Sequence, residues 1–81
     1  MLWEQFKNTA SQILSDHFAP NLIEDNGDSL VFTDRRSLAS FFVTEDAREI
    51  AIGRYEERNT IGMFFTSPSI ELATIALTLL A

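Results

Sequence analysis

The chain has 81 residues, a net charge of −6 and a pI near 4.5. That length makes one domain, residues 1–81, which buries only roughly 60% of its unfolded surface and draws about 3–5 kcal/mol from its core. The charge argues against nucleic acid and anionic membranes as partners, because both repel it. The absence of cysteine removes disulfides and thiolate metal sites as sources of stability.

An apolar fraction of 46%, with seven phenylalanines, marks a folded composition rather than a disordered one. The N-terminus "MLWEQFKN" has no basic region ahead of an apolar run, and "IELATIALTLLA" falls far short of the ~20 residues that span a bilayer. The expectation is a cytoplasmic location.

In chain order, residues 2–18 read as a helix. Leu2, Trp3, Phe6, Ala10, Ile13, Leu14, His17 and Phe18 recur at spacings of three and four on one stripe, and Pro20 stops the run. "NLIE" and "SLVFT" then flank "DNGD". Asn-Gly between apolar runs predicts a hairpin with positive φ at both central residues. "LASFFVT", "EIAIGRYE" and "TIGMFFTS" follow, separated by the turns "TDRRS", "EDAR" and "ERN". These five short strands predict an antiparallel meander. A last helix is expected over residues 68–80, with Ser67 as its cap and Pro68 in its first turn. Only Glu71, Thr74 and Thr78 make a polar stripe on it, so nearly all of its circumference seeks apolar contact. The fold class is α+β, in the order α-β-β-β-β-β-α.

Alternation sorts the strand residues onto two faces. One face receives Leu30, Phe32, Phe41, Val43, Ile50, Ile52, Ile61, Met63 and Phe65, the expected core. The other receives Val31, Leu38, Ser40, Phe42, Thr44, Ala51, Gly53, Tyr55, Gly62, Phe64 and Thr66, three aromatics among small residues. Two arrangements remain open. Each helix covers one face, or both helices cover the first and leave the second as a binding trough.

In a meander, alternate turns share an end of the sheet. "EDNGD" and "TEDARE" together bring Glu24, Asp25, Asp28, Glu45, Asp46 and Glu49 against Arg48 alone, whereas "TDRR" and "EERN" nearly cancel. An acidic rim speeds docking on a basic surface, although solvated hairpin tips look the same in sequence.

Catalytic signals are missing. His17, the sole histidine, has no orienting partner in sequence and reads as structural or dipole-facing. "EDNGD" lacks the calcium-loop order and its distal glutamate. No phosphate-binding loop, nucleophile elbow or metal-spaced histidine pair occurs, and no cofactor or metal is expected. The chain reads as a non-enzyme.

The stretch from Glu49 to Leu80 resembles the immunity proteins of the TNT-antitoxin family, which neutralise NAD-glycohydrolase toxins. Glu57 and Arg58 in a turn, then "GMFFTS", Ser67 and the leucine-rich run to Leu80 carry the likeness. Asn59 stands where the family pattern has a glycine. The resemblance implies a cytosolic, acidic, non-catalytic binder. The first expectation is therefore an immunity protein or antitoxin that blocks a toxin sterically, docking through Phe42, Tyr55, Phe64, Glu45, Asp46 and Glu49. The alternative is a small acidic dimeric chaperone or adaptor of a secretion system, paired through Leu72, Ile75 and Leu79.

Overall fold

The computed structural model of the chain describes residues 2–36, 39–55 and 61–81, without the side chains of Ile61, Met63 and Phe64. Its elements are α1 (Leu2–His17), a 3₁₀ turn (Pro20–Leu22), β1 (Ile23–Asp25), β2 (Ser29–Thr33), β3 (Ser40–Asp46), β4 (Glu49–Tyr55), β5 (Ile61–Ser67) and α2 (Ile70–Leu80). The strands form one antiparallel sheet in the order β1-β2-β3-β4-β5, so the expected α+β meander flanked by two helices is what the chain adopts. The predicted strand at "NLIE" is shorter than expected, because Pro20 begins a 3₁₀ turn that takes Asn21 and Leu22.

Both helices lie on the same face. Trp3, Phe6, Ala10 and Leu14 of α1 and Ala73 and Leu77 of α2 share one buried cluster with Leu30, Phe32, Val43, Ile50 and Ile52. The three- and four-residue spacing of the α1 set aligns it along the helix, and the strand set follows the period of two. Phe18, Phe32 and Phe41 extend this core toward one end, with ring centroids 5.2 Å (Phe18–Phe32) and 5.4 Å (Phe32–Phe41) apart. His17, expected on the apolar stripe, is exposed at the last position of α1, while Phe18 beyond it turns back to the core.

Three further details differ from the sequence reading. Alternation breaks in β5: Phe65 pairs with Ile52, but Met63 pairs with Gly53 and Ile61 with Tyr55. A register irregularity between Ile52 and Gly53 thus puts Met63 and Ile61 in line with second-face residues. The α2 cap is Ser69, whose Oγ accepts from the Leu72 amide at 3.2 Å; Ser67 ends β5, buried, with its Oγ accepting from the Ser69 amide at 3.0 Å. Pro68 therefore precedes the cap instead of opening the helix. Finally, α2 is not surrounded by apolar contacts. Ala73 and Leu77 are buried, but Leu72, Ile75 and Leu79 face outward.

The turns also exchange roles. In "DNGD" only Gly27 takes a positive φ (87°), and the Asn26 amide donates to the Ser29 carbonyl at 2.9 Å. The tight two-residue hairpin is instead at Ala47-Arg48, between the paired Asp46 and Glu49, with φ of 51° and 65°. Left-handed backbone costs a residue with a Cβ about 1–2 kcal/mol, and type I′ hairpins favour Asn-Gly for that reason. The double substitution Ala47→Asn and Arg48→Gly is expected to stabilise the fold by about 1–2 kcal/mol, a rise in Tm of several degrees for a domain this small. Thermal unfolding followed by circular dichroism checks it; an unchanged or lower Tm contradicts the hairpin geometry.

Candidate protein-docking surface

Both helices pack on the first face of the sheet; on the second, β3 and β4 build the centre, where Phe42, Ala51 and Gly53 are buried and Tyr55 is exposed. The register there runs Asp46–Glu49, Thr44–Ala51, Phe42–Gly53 and Ser40–Tyr55. One ladder thus carries an acidic pair at one end and an aromatic at the other, six residues along β4, roughly 20 Å away. Of the predicted docking residues, Phe42, Tyr55, Asp46 and Glu49 share this face. Glu45 does not: it pairs with Ile50 on the helix-covered side. The side chain of Phe64, together with Leu38, Glu57 and Arg58, lies outside the described residues.

The aromatics are not equivalent. Phe42 is only 5% exposed, although no helix lies on it. Its ring lies over Gly53, where a Cβ would stand 2.7 Å from Phe42 Cε1 and 2.6 Å from the Gly62 carbonyl oxygen. Glycine is required at this position by that close approach. The Tyr55 ring lies 5.2 Å from the Phe42 ring, centroid to centroid, at a tilt of 52°, and remains 39% exposed. Phe42 therefore acts as a platform that orients Tyr55, and Tyr55 is the aromatic surface a partner can reach.

The acidic rim divides in the same way. Glu45 Oε1 accepts from the Trp3 amide at 2.7 Å, in the first turn of α1. A carboxylate there satisfies an orphan N–H and opposes the positive end of the helix dipole. The Trp3 indole Nε1 donates to the Gly27 carbonyl at 2.8 Å, and Lys7 Nζ donates to the same oxygen at 3.1 Å. Lys7 also pairs with Asp25 at 3.0 Å. The Gly27 amide, followed by Lys7, holds the Asp25 carboxyl below its ordinary range. So α1 adds Lys7 to an end where the sequence counted only Arg48. Glu45 and Asp25 fasten the helix, whereas Glu24, Asp28 and Asp46 are exposed and Glu49 half-buried.

Two other surfaces stand out. The outer side of α2 exposes Leu72 (54%), Ile75 (56%) and Leu79 (82%). Beside it runs a groove of about 390 Å³ lined by Ile52, Phe65, Ala76, Leu79 and Leu80. At the end away from the acidic rim, His17, Asp34, Arg36, Leu80 and Ala81 border a hollow over Phe18, Phe32 and Phe41. Its Asp34 Oδ1 accepts from the Arg36 amide at 2.9 Å.

Among the described residues, no group of three His, Asp or Glu side chains is placed to hold a metal ion, and no helix is long and apolar enough to cross a membrane. Compared with known proteins, the chain matches no family model, no curated protein and no solved structure.

The Phe42–Gly53 contact yields a stability test. Gly53→Ala forces a Cβ against a ring and a carbonyl and is expected to cost about 1–3 kcal/mol. Phe42→Ala is expected to cost about 3 kcal/mol, and Tyr55→Ala under about 1 kcal/mol. Urea titrations of the three variants rank them; an equal loss for Tyr55→Ala contradicts the platform arrangement. For Asp25 the sign follows from its depressed folded pKa. Its contribution is present above the ordinary carboxylate value of 3.8 and lost as pH falls through the lower folded value. Asp25→Asn is therefore expected to flatten the acid limb of the stability–pH profile, and to leave it steep if the pairing is absent.

Proposed function

We propose that the chain is a non-catalytic protein-binding module, most concretely an immunity protein or antitoxin that blocks a toxin sterically. The observation that carries this reading is the β3–β4 ladder on the sheet face opposite the helices, with exposed Asp46 and half-buried Glu49 at one end and the exposed ring of Tyr55 at the other. Such a surface suits a partner with a basic group and an apolar group roughly 20 Å apart, the span of six strand residues. The acids raise the encounter rate with a basic surface, and the ring supplies contact area at low entropic cost. The resemblance to antitoxins of NAD-glycohydrolases supplies the class of partner. A cytoplasmic site of action accords with that reading.

Glu45 is set aside as a contact, because its carboxylate is engaged with α1. The test is titration of the purified chain into an NAD-glycohydrolase toxin domain from the same source, following hydrolysis of NAD. Stoichiometric inhibition is expected, and added salt weakens it. The charge reversals Asp46→Lys and Glu49→Lys together are expected to slow association at least tenfold, and Tyr55→Ala to speed dissociation. Absence of inhibition at micromolar concentrations, or full activity of both variants, rejects the reading.

A second reading, a small acidic dimeric chaperone or adaptor, is favoured by one observation. Three large apolar side chains stand in a row on the outside of α2, more than half exposed.

A further inference from the structure

We propose that α2 is the seam of a twofold homodimer in which two α2 helices pack antiparallel, Leu72 of one copy against Leu79 of the other, with Ile75 at the axis. The proposal rests on the second reading above for the paired state and adds its geometry. It does not depend on a toxin or a client.

Charge selects a second copy as the occupant. The chain carries −6, so two copies repel over most of their surface. Of the eleven residues of α2, Glu71 alone is charged, and it lies in the first turn. The outer face of α2 is thus a stretch where two copies can meet without opposing charges. A basic partner, by contrast, gains nothing from an uncharged surface and is better served by Asp46 and Glu49.

The sequence of the face is self-complementary. Leu72, Ile75 and Leu79 lie on one side of the helix at spacings of three and four. The midpoint between 72 and 79 falls at 75–76, so reversing the helix exchanges Leu72 with Leu79 and brings Ile75 to within about one residue of its own copy. That is the requirement of a twofold interface, in which the same patch serves both copies. The antiparallel sense follows from two facts. It sets the helix dipoles head to tail, and it separates the two Glu71 positions by roughly 14 Å along the helix axes. A parallel pairing would place Glu71 beside Glu71. In the antiparallel arrangement Leu72 of the partner also arrives beside Leu79, at the mouth of the groove lined by Ile52, Phe65, Ala76 and Leu80.

Area sets the strength. Three side chains and the groove rim form a patch in the range of a few hundred Å², the size that marks interaction sites but below the ~800 Å² per partner of standard interfaces. A weak dimer follows, with a dissociation constant on the order of micromolar. It tightens with added salt, which screens the repulsion between the two acidic copies, whereas docking of the acidic rim on a basic partner weakens with salt.

The chain has no cysteine, so single substitutions report cleanly. Sedimentation over a concentration series at low and high salt measures association. A short bismaleimide cross-linker added to Ile75→Cys, Leu72→Cys, Leu79→Cys and an equimolar Leu72→Cys plus Leu79→Cys mixture reads the geometry. Expected are a salt-strengthened dimer, cross-linking of Ile75→Cys with itself, and cross-linking of the mixture at least fivefold above either single variant alone. Circular dichroism confirms that each variant folds, which the exposure of these side chains favours. A monomer at all concentrations overturns the proposal and the dimeric reading together. A dimer in which Leu72→Cys cross-links with itself as well as with Leu79→Cys overturns the antiparallel seam and leaves the dimeric reading standing.

Discussion

The structure depends on a one-sided burial. Five strands form one sheet, and both helices press on the face that carries Leu30, Phe32, Val43, Ile50 and Ile52. Everything of functional interest follows from that asymmetry. On the face opposite the helices the ring of Phe42 lies on Gly53 and Tyr55 is exposed, and α2 leaves Leu72, Ile75 and Leu79 exposed on its outer side.

The helix placement also explains the distribution of charge. α1 begins beside Gly27 and Glu45 and ends with His17 near Asp34 and Arg36. α2 begins just after Ser67, which pairs with Ile50 near the acidic rim, and ends with Leu80 beside the same arginine. Both helices therefore run in the same direction. Their positive ends lie at the acidic rim and their negative ends beside His17 and Arg36, the arrangement that favours each set of charges. Part of the acidic rim thus answers to the fold itself, through Glu45 and Asp25. The remainder, chiefly Asp46 and Glu49, lies on the same sheet face as Tyr55.

The rim also carries the strained hairpin at Ala47-Arg48. Neither residue type favours positive φ, and the cost is held in place by the paired strands on both sides. A tight two-residue turn keeps Asp46 and Glu49 directly opposite each other, and so keeps the acidic pair together at one end of the ladder.

Much of the architecture was legible in the sequence, since periods of 3.6 and 2 are local properties of the chain. The stripe from Trp3 to Leu14, the alternation through β2, β3 and β4, and the turn residues between strands were enough for the order α-β-β-β-β-β-α and for most of the core. The place of Glu45 was readable too, although it was expected among the docking residues: it lies two residues from Val43, so the period of two puts both on the helix-covered face. The remaining features were decided by contacts between elements distant in sequence. Alternation could not foresee the irregularity that moves Met63 and Ile61 out of line with Phe65. Composition could not say that Phe42 is buried and Tyr55 exposed, because burial depends on neighbours across the sheet, such as Gly53 under the Phe42 ring. Nor could local pattern tell on which face each helix lies, since α2 is apolar on nearly every side. Local chemistry determines which elements form; their docking on one face of the sheet, set by the packing of α1 and α2 over the same core, determined which apolar residues were left exposed.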